Sequence, residues 1–512
     1  MAHSFEALAA LVAIVLIFSP YFYRLKTSST THKFPPGPKP IPILGNAHQL
    51  PPEYQWRAFA QWAEIYGDIF YFKIFRKPAM VITSVIAAHE LMEKRSSKYS
   101  DRPRTVVLTE LMRFEPNLSV LRYGAQWRRH RKWFQSAFQV KSSQDNHRPL
   151  VLRNARWLLS LILENPDEFS GATMLEIAYG HPATSPDDTL MRLADDTITK
   201  GFTIGGSGSS IIDFIPALRH VPSWMPGARV QRMSRELSHV VRSLYDIPYD
   251  RVKNAMANGT ARRSFLSSLL EEASGKGSLT EEIEHDIKGA AAQIRCLAGT
   301  ETTVSTIITF ILAMVLYPEV AKKAQAEVDA VVGHSRLPDF DDRASLPYLE
   351  CVVKEVFRWG CPVPLALAHQ SVSDDEYRGY HIPAGTVIIP DIWQVAMMRN
   401  STIYPDPERF SPERFENLDA DTMAKIDPTK IVFGFGRRIC PGRTFGDSTV
   451  WLAFVSMLSV FDIRKARDAA GQEITPAPDF SDGLIRHPPS FKCDITPRSS
   501  KAAELIALAN VD

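Results

Sequence analysis

Apolar residues fill almost every position from Ala7 to Tyr23 (ALAALVAIVLIFSPYFY), and Arg24 and Lys26 follow at once. That run approaches the ~20 residues a helix needs to cross a bilayer, so residues 1–26 are expected to form an N-terminal transmembrane helix. No Lys or Arg precedes the run and no A-x-A-like site closes it, which argues against a cleaved secretory signal. The cations behind it place the bulk of the chain in the cytoplasm, giving a single-pass anchor with a cytosolic domain. Asn117, Asn258 and Asn400 head glycosylation sequons that should then stay bare.

Residues 27–45 follow as a hinge, polar at first and then proline-rich from Lys33 to Gly45, which holds the backbone extended. Beyond it Trp56 to Tyr66 has helical spacing, while Ile69 to Phe75 and Ala79 to Ile82 read as short strands separated by Lys77 and Pro78. Helical patterns dominate from about residue 120 to about 360, broken by loops at Gly205 to Ser210 and Pro216 to Gly227. Between Gly289 and Tyr317 the chain is nearly uncharged, yet its centre, Gly299-Thr-Glu-Thr-Thr303, is too polar for a membrane span. One helix buried on all sides is the expectation there. Short strand signals return after Pro362, an irregular region runs to about 432, and a last helix is expected over Arg443 to Val460. With no repeats or second linker, the fold class is mainly α (α+β). One helix-rich domain with small β-sheets spans 46–498, and 499–512 forms a tail.

Composition changes this picture little. The 512 residues carry a net charge of +2, which gives no reason to expect nucleic acid. The five cysteines are scattered and odd in number without CxxC spacing, which argues against a disulfide framework or a zinc site. One of them can still be a thiolate ligand for haem iron.

Phe433-Gly-Phe-Gly-Arg-Arg-Ile-Cys-Pro-Gly442 supplies that candidate. Its pattern, F-x-x-G-x-R-x-C-x-G, arises by chance in a chain this long with a probability on the order of 10⁻⁴. Glycines at 434, 436 and 442 allow backbone N–H groups to aim at a sulfur and the chain to approach a flat ring closely. The segment resembles the cysteine motif of the cytochrome P450 family. Four more motifs occur in family order: W-x-x-x-R at Trp127 and Arg131, A-G-x-E-T-T at Ala298 to Thr303, E-x-x-R at Glu355 and Arg358, and P-E-R-F at Pro412 to Phe415. The likeness runs from the proline-rich segment to Cys493. Leu346 to Trp359 and the Cys440 region are similar to fungal enzymes of the O-methylsterigmatocystin oxidoreductase type, which implies secondary metabolism.

The resemblance implies haem b (iron protoporphyrin IX) bound through Cys440, with Phe433 beside the sulfur and Trp127, Arg131, Arg438 and His369 near the haem propionates. It implies that Glu301 and Thr302 relay protons to dioxygen in a dry site, Thr302 also bonding back to the carbonyl of Ala298. Glu355, Arg358 and Arg414 are expected to form a structural triad. Arg128, Arg129, Lys132, Arg437 and Arg443 can form a basic face for an NADPH-cytochrome P450 reductase, since this chain shows no flavin or nicotinamide segment. The implied reaction inserts one atom of O2 into a small apolar organic substrate lined by Val363 to Leu367 and Gly483 to Ile485, at the endoplasmic reticulum membrane. A haem-thiolate isomerase or dehydratase would not need the relay pair, and a non-catalytic haem protein is the rival outside enzymes.

Three features depart from the family pattern: Arg295 and Cys296 ahead of Ala298, a short Phe169 to Gly180 stretch, and Met397-Met-Arg-Asn400 in place of H-D-P. Arg295 is either satisfied by a neighbouring loop or faces the substrate chamber and binds an acidic ligand.

Overall fold

The computed structural model describes residues 33–164, 170–181, 188–190, 210–294, 300–393 and 397–509. The expected anchor, the loop before Ser210, and Arg295, Cys296 and Ala298 lie outside the described residues. Among those described, no single helix is long and apolar enough to cross a membrane.

The N-terminal sheet forms first along the chain. Helix α1 (Gln55–Tyr66) leads into β1 (Ile69–Ile74) and β2 (Lys77–Ile82), which pair antiparallel. The break between them is the Phe75-Arg76 turn, with Phe75 at φ 52°, and not Lys77-Pro78 as the sequence suggested. Pro78 is tolerated in β2 because pairing with the far strand begins only at Ala79. That partner is β6 (Val387–Pro390), which also pairs with β3 (His369–Gln370), giving the order β1-β2-β6-β3. Between them β4 (Asp375–Tyr377) and β5 (Tyr380–Ile382) make a small hairpin. The proline segment does not stand free of this sheet: Tyr71 donates its N–H to the Pro36 carbonyl at 2.8 Å. A side chain at Gly37 would collide with the Tyr71 carbonyl at 1.8 Å, so only glycine permits the approach.

The helical mass comprises α2 (Ala125–Phe138), α3 (Lys141–Glu164), α4 (Ser170–Tyr179), α5 (Arg229–Ala257), α6 (Phe265–Gly275), α7 (Glu281–Gln293), α8 (Glu301–Leu316), α9 (Pro318–Val332), α10 (Pro347–Gly360) and α11 (Arg443–Val460). The helix expected to begin at Gly289 starts earlier, at Glu281, where the Thr280 hydroxyl accepts from the Ile283 N–H and acids fill the first turn. Residues 295–299 lie outside the described residues, and α8 follows them.

Helices α8 and α11 are apolar nearly all round and pack against each other at the centre, with Phe310 stacked on Phe454 at 4.0 Å between ring centroids. Strands β7 (Phe461–Lys465) and β8 (Cys493–Pro497) close the domain. The expected tail carries a further helix, α12 (Ser500–Leu508), capped by Ser499 and anchored in the core by Ala502 and Ile506. Asn117 is buried, so of the three sequons only those at Asn258 and Asn400 can report on topology.

Candidate active site

Glycine geometry sets the cysteine loop. Gly434 and Gly436 have φ of 77° and 59°, and a Cβ on Gly436 would lie 1.9 Å from the Met92 carbonyl. That fold-back lets the Cys440 N–H bond the Phe433 carbonyl at 2.9 Å, tying the first motif residue to the cysteine. The loop is then clamped from α2: Arg131 donates to the Ile439 carbonyl at 2.6 Å, and Gln139 donates to Pro441 at 3.2 Å. Burial pushes the Cys440 thiol up, opposed by the Gly442 N–H and by the cations Arg131 and Arg443. Those opposing groups are what a thiolate requires.

Trp127, Arg131, His369, Phe433, Arg438 and Cys440 all line one cavity of about 250 Å³, and Thr302 lines it too. Glu301 does not: it begins α8 beside Thr302, half-buried, outside the cavity wall. Ala298, the expected acceptor for Thr302, lies outside the described residues. Two back-bonds run further along this helix, from the Thr306 hydroxyl to the Thr302 carbonyl and from the Thr309 hydroxyl to the Ser305 carbonyl, each at 2.7 Å. Val363, Ala366 and Leu367 line the cavity as expected, whereas Gly483 to Ile485 do not.

The cationic wall differs in detail from expectation. Arg438 spends its donors on the carbonyls of Ser100 (2.8 Å), Leu118 (3.3 Å) and Leu121 (2.8 Å), with its guanidinium 4.5 Å from the Trp127 ring centroid. Burial, reinforced by Arg102, pushes its pKa down to about 8. His369 gives its Nδ1 to the Tyr99 carbonyl at 2.7 Å. Burial first and then Arg102 hold its pKa well below the ordinary value, opposed by the bond to Tyr99.

Arg102 itself was missed. It is buried in the cavity wall and bonded to the carbonyls of Ser119, Leu367 and Ala368. Ser100-Asp-Arg-Pro103 has no helical or strand period, so no spacing announced it.

These walls fit a haem. Arginines 102, 131 and 438 crowd a buried space where their mutual repulsion calls for anionic groups, as two propionates would be. The Trp127 Nε1 and the Gln293 Oε1, both on that wall, are enclosed without a hydrogen-bond partner among the described residues. Cys440 supplies the soft anionic ligand.

Behind the loop, Glu355 accepts from Arg358 at 2.7 and 2.9 Å, from Arg414 at 3.1 Å and from the Ser411 N–H at 2.8 Å, and neither Glu355 nor Arg358 has any exposed surface. Arg358 also donates to the Met398 carbonyl at 3.0 Å. Thus the departure at Met397 to Asn400 is absorbed by packing: both methionines are buried, and Arg399 pairs with Glu408 and the Trp359 carbonyl.

On the outer side, Arg128 and Arg437 converge on Tyr123, the latter donating to its hydroxyl at 2.6 Å, while Lys132 and Arg443 are exposed. Arg129 leaves that face and pairs with Asp286 and Glu282 on α7.

Comparison with known proteins agrees with this geometry. The family model described as Cytochrome P450 matches residues 35–495. The chain is 46% identical over 490 residues to cytochrome P450 monooxygenase 176 of Postia placenta, covering 94% of each chain. It is 44% identical to that fungus's cytochrome P450 monooxygenase 136, covering 93% and 91%. Against cytochrome P450 monooxygenase claR of Ampulloclitocybe clavipes it is 36% identical, covering 94% and 89%. With a matched domain over most of its length and relatives of this identity, the chain belongs to the cytochrome P450 family and is an oxidoreductase of its monooxygenase type.

Proposed function

We propose that the chain inserts one atom of O2 into a small apolar organic molecule of fungal secondary metabolism, with haem b held by Cys440 and NADPH electrons delivered by a separate reductase. The convergence of Cys440, Trp127, Arg131 and Arg438 on one enclosed cavity carries this reading. When bound, the haem would supply the redox chemistry that activates dioxygen, one atom entering the substrate and the other leaving as water after uptake of two electrons and two protons.

The chain's own residues divide the remaining work. Arg131 fixes the loop beside the sulfur, and the cations Arg102, Arg131 and Arg438 would offset the charge of the propionates. Val363, Ala366 and Leu367 give the substrate an apolar wall and exclude water. The Thr302 hydroxyl sits at the cavity and Glu301 just outside it, so Glu301 takes protons from the outer side and Thr302 presents them inside.

The exposed cluster of Arg128, Arg437, Lys132 and Arg443 gives an acidic reductase a complementary surface. Membrane attachment at the endoplasmic reticulum is supported by Trp224, 79% exposed, and by Ile43 and Ile211, both about half exposed. The segments bearing Ile43 and Ile211 meet where Phe75, whose N–H bonds the Leu44 carbonyl, packs on Phe214 at 5.8 Å.

The test is reductase-dependent NADPH consumption with a panel of polyketides, terpenes and sterols first screened for shifts in the haem spectrum. A substrate that binds should yield a product heavier by one oxygen. Product formation that proceeds without reductase and NADPH would instead identify an isomerase or dehydratase.

A further inference from the structure

A second cavity, of about 1020 Å³, lies away from the cysteine loop between α2, α3, α4 and α6. Its apolar walls include Trp133, Leu150, Leu152, Ile177 and Leu269. Lys132, Arg153, Arg156 and Arg263 also line it, against the carboxylates of Glu176 and Glu272. Both carboxylates are already engaged: Glu176 pairs with Arg153, and Glu272 with Lys276, with Lys132 nearby lowering its pKa further. Arg156 and Arg263 have no ion pair or hydrogen bond among the described residues, and the Arg156 Nε is enclosed without a partner.

The wall carries one more positive element. Ser264 and Phe265, at the N-terminus of α6, border the same space; the Ser264–Ser267 capping box satisfies two N–H groups there, and the helix dipole keeps that end positive. An enclosed donor without a partner is costly unless a ligand satisfies it, and guanidinium groups match phosphate and carboxylate oxygens in geometry as well as charge. Charge alone would suit an inorganic ion, but the aromatic and aliphatic walls give an apolar body a place to be buried.

We propose that this cavity is a second ligand site, separate from the haem cavity, for an amphiphilic organic anion: a phosphate or carboxylate group on an apolar ring or short chain. The anionic group lies between Arg156 and Arg263 at the start of α6, and the apolar part lies against Trp133 and Leu269.

Isothermal titration calorimetry of the full-length holoenzyme tests this, with the haem cavity saturated beforehand by an azole so that binding there is silent. Naphthyl phosphate is the probe. One saturable site is expected, weakened about tenfold or more by Arg156→Met and by Arg263→Met and abolished by Ser136→Trp, which fills the cavity without removing a charge. Naphthol should bind at least about tenfold more weakly than its phosphate. Displacement of the probe by phosphatidylserine vesicles would assign the site to a lipid head group, and failure to displace it to a soluble metabolite. The proposal is overturned by unchanged affinity in Arg263→Met, an exposed position whose replacement leaves the fold intact. Inorganic phosphate binding as tightly as the probe, or the lack of any saturable site, would overturn it too.

Discussion

Arg131 on α2 donates to the carbonyl of Ile439, the residue before Cys440, at 2.6 Å. This bond ties the helix that holds the cationic wall to the loop that holds the sulfur. Replacing Arg131 by Leu should cost about 1.5–3 kcal/mol of stability, as expected for a hydrogen bond from a charged donor. Haem affinity should fall by roughly 10–100-fold, the range for partners that orient a metal ligand. Transfer of haem to a scavenging apoprotein measures the second effect; transfer at the parent's rate would remove Arg131 from the site.

The Glu355 and Arg358 pair is fully enclosed, so breaking it leaves an uncompensated buried charge. Arg358→Leu should lower unfolding free energy by about 3–5 kcal/mol, and Glu355→Leu in the same chain should restore part of it. Urea unfolding of the two single variants and the double variant gives the coupling. Additive losses would show that the pair does not act as a unit.

Asp286 on α7 is buried beneath α2, accepting from Gln126 at 2.7 Å and from Arg129 at 2.7 Å, with the His130 Nε2 at 3.4 Å. Burial alone would raise its pKa, but His130, Gln126 and Arg129 outweigh it and bring it down to about 2. A carboxyl depressed by folding stabilises the native state above its unfolded value of about 3.9, and this contribution is lost as pH falls toward the folded one. The stability gap between the parent and Asp286→Asn should therefore be constant from neutrality to about pH 4 and shrink between there and pH 2. Thermal midpoints across that range check it; a gap that widens on acidification contradicts the assignment.

Arg437 lies exposed against Tyr123 on the outer side of the cysteine loop. Charge reversal by Arg437→Glu should raise the reductase concentration needed for half-maximal turnover by about tenfold at low salt. The difference from the parent should fade as ionic strength rises, since exposed charges are screened over about 10 Å at 0.1 M. Turnover supported by an artificial chemical oxidant should be unaffected.

Much of this was legible in the sequence, and what was missed has a physical cause. Trp127 with Arg131 and Glu355 with Arg358 stood out through the family motifs they match, and their spacing of one helical turn suits side chains that share a face. Gly434 and Gly436 were legible because left-handed backbone favours glycine and a Cβ at 436 would meet the Met92 carbonyl, whereas Gly442 has ordinary geometry.

Arg102 was invisible because it reaches the cavity from irregular chain, where burial depends on contacts distant in sequence. His369 was found, but its partners were not, because the Tyr99 carbonyl it bonds and Arg102 beside it come from another part of the chain. Arg129 and Arg128 are adjacent and chemically alike, yet they part because helix geometry turns one toward α7 and the other toward Tyr123.

The most direct measurement is the absorption spectrum of the reduced protein under carbon monoxide, recorded for the parent and for Cys440→Ser. Ligation by this sulfur predicts a thiolate-type band in the parent that disappears in the variant together with turnover. Identical spectra and undiminished turnover in Cys440→Ser would contradict the account at its root.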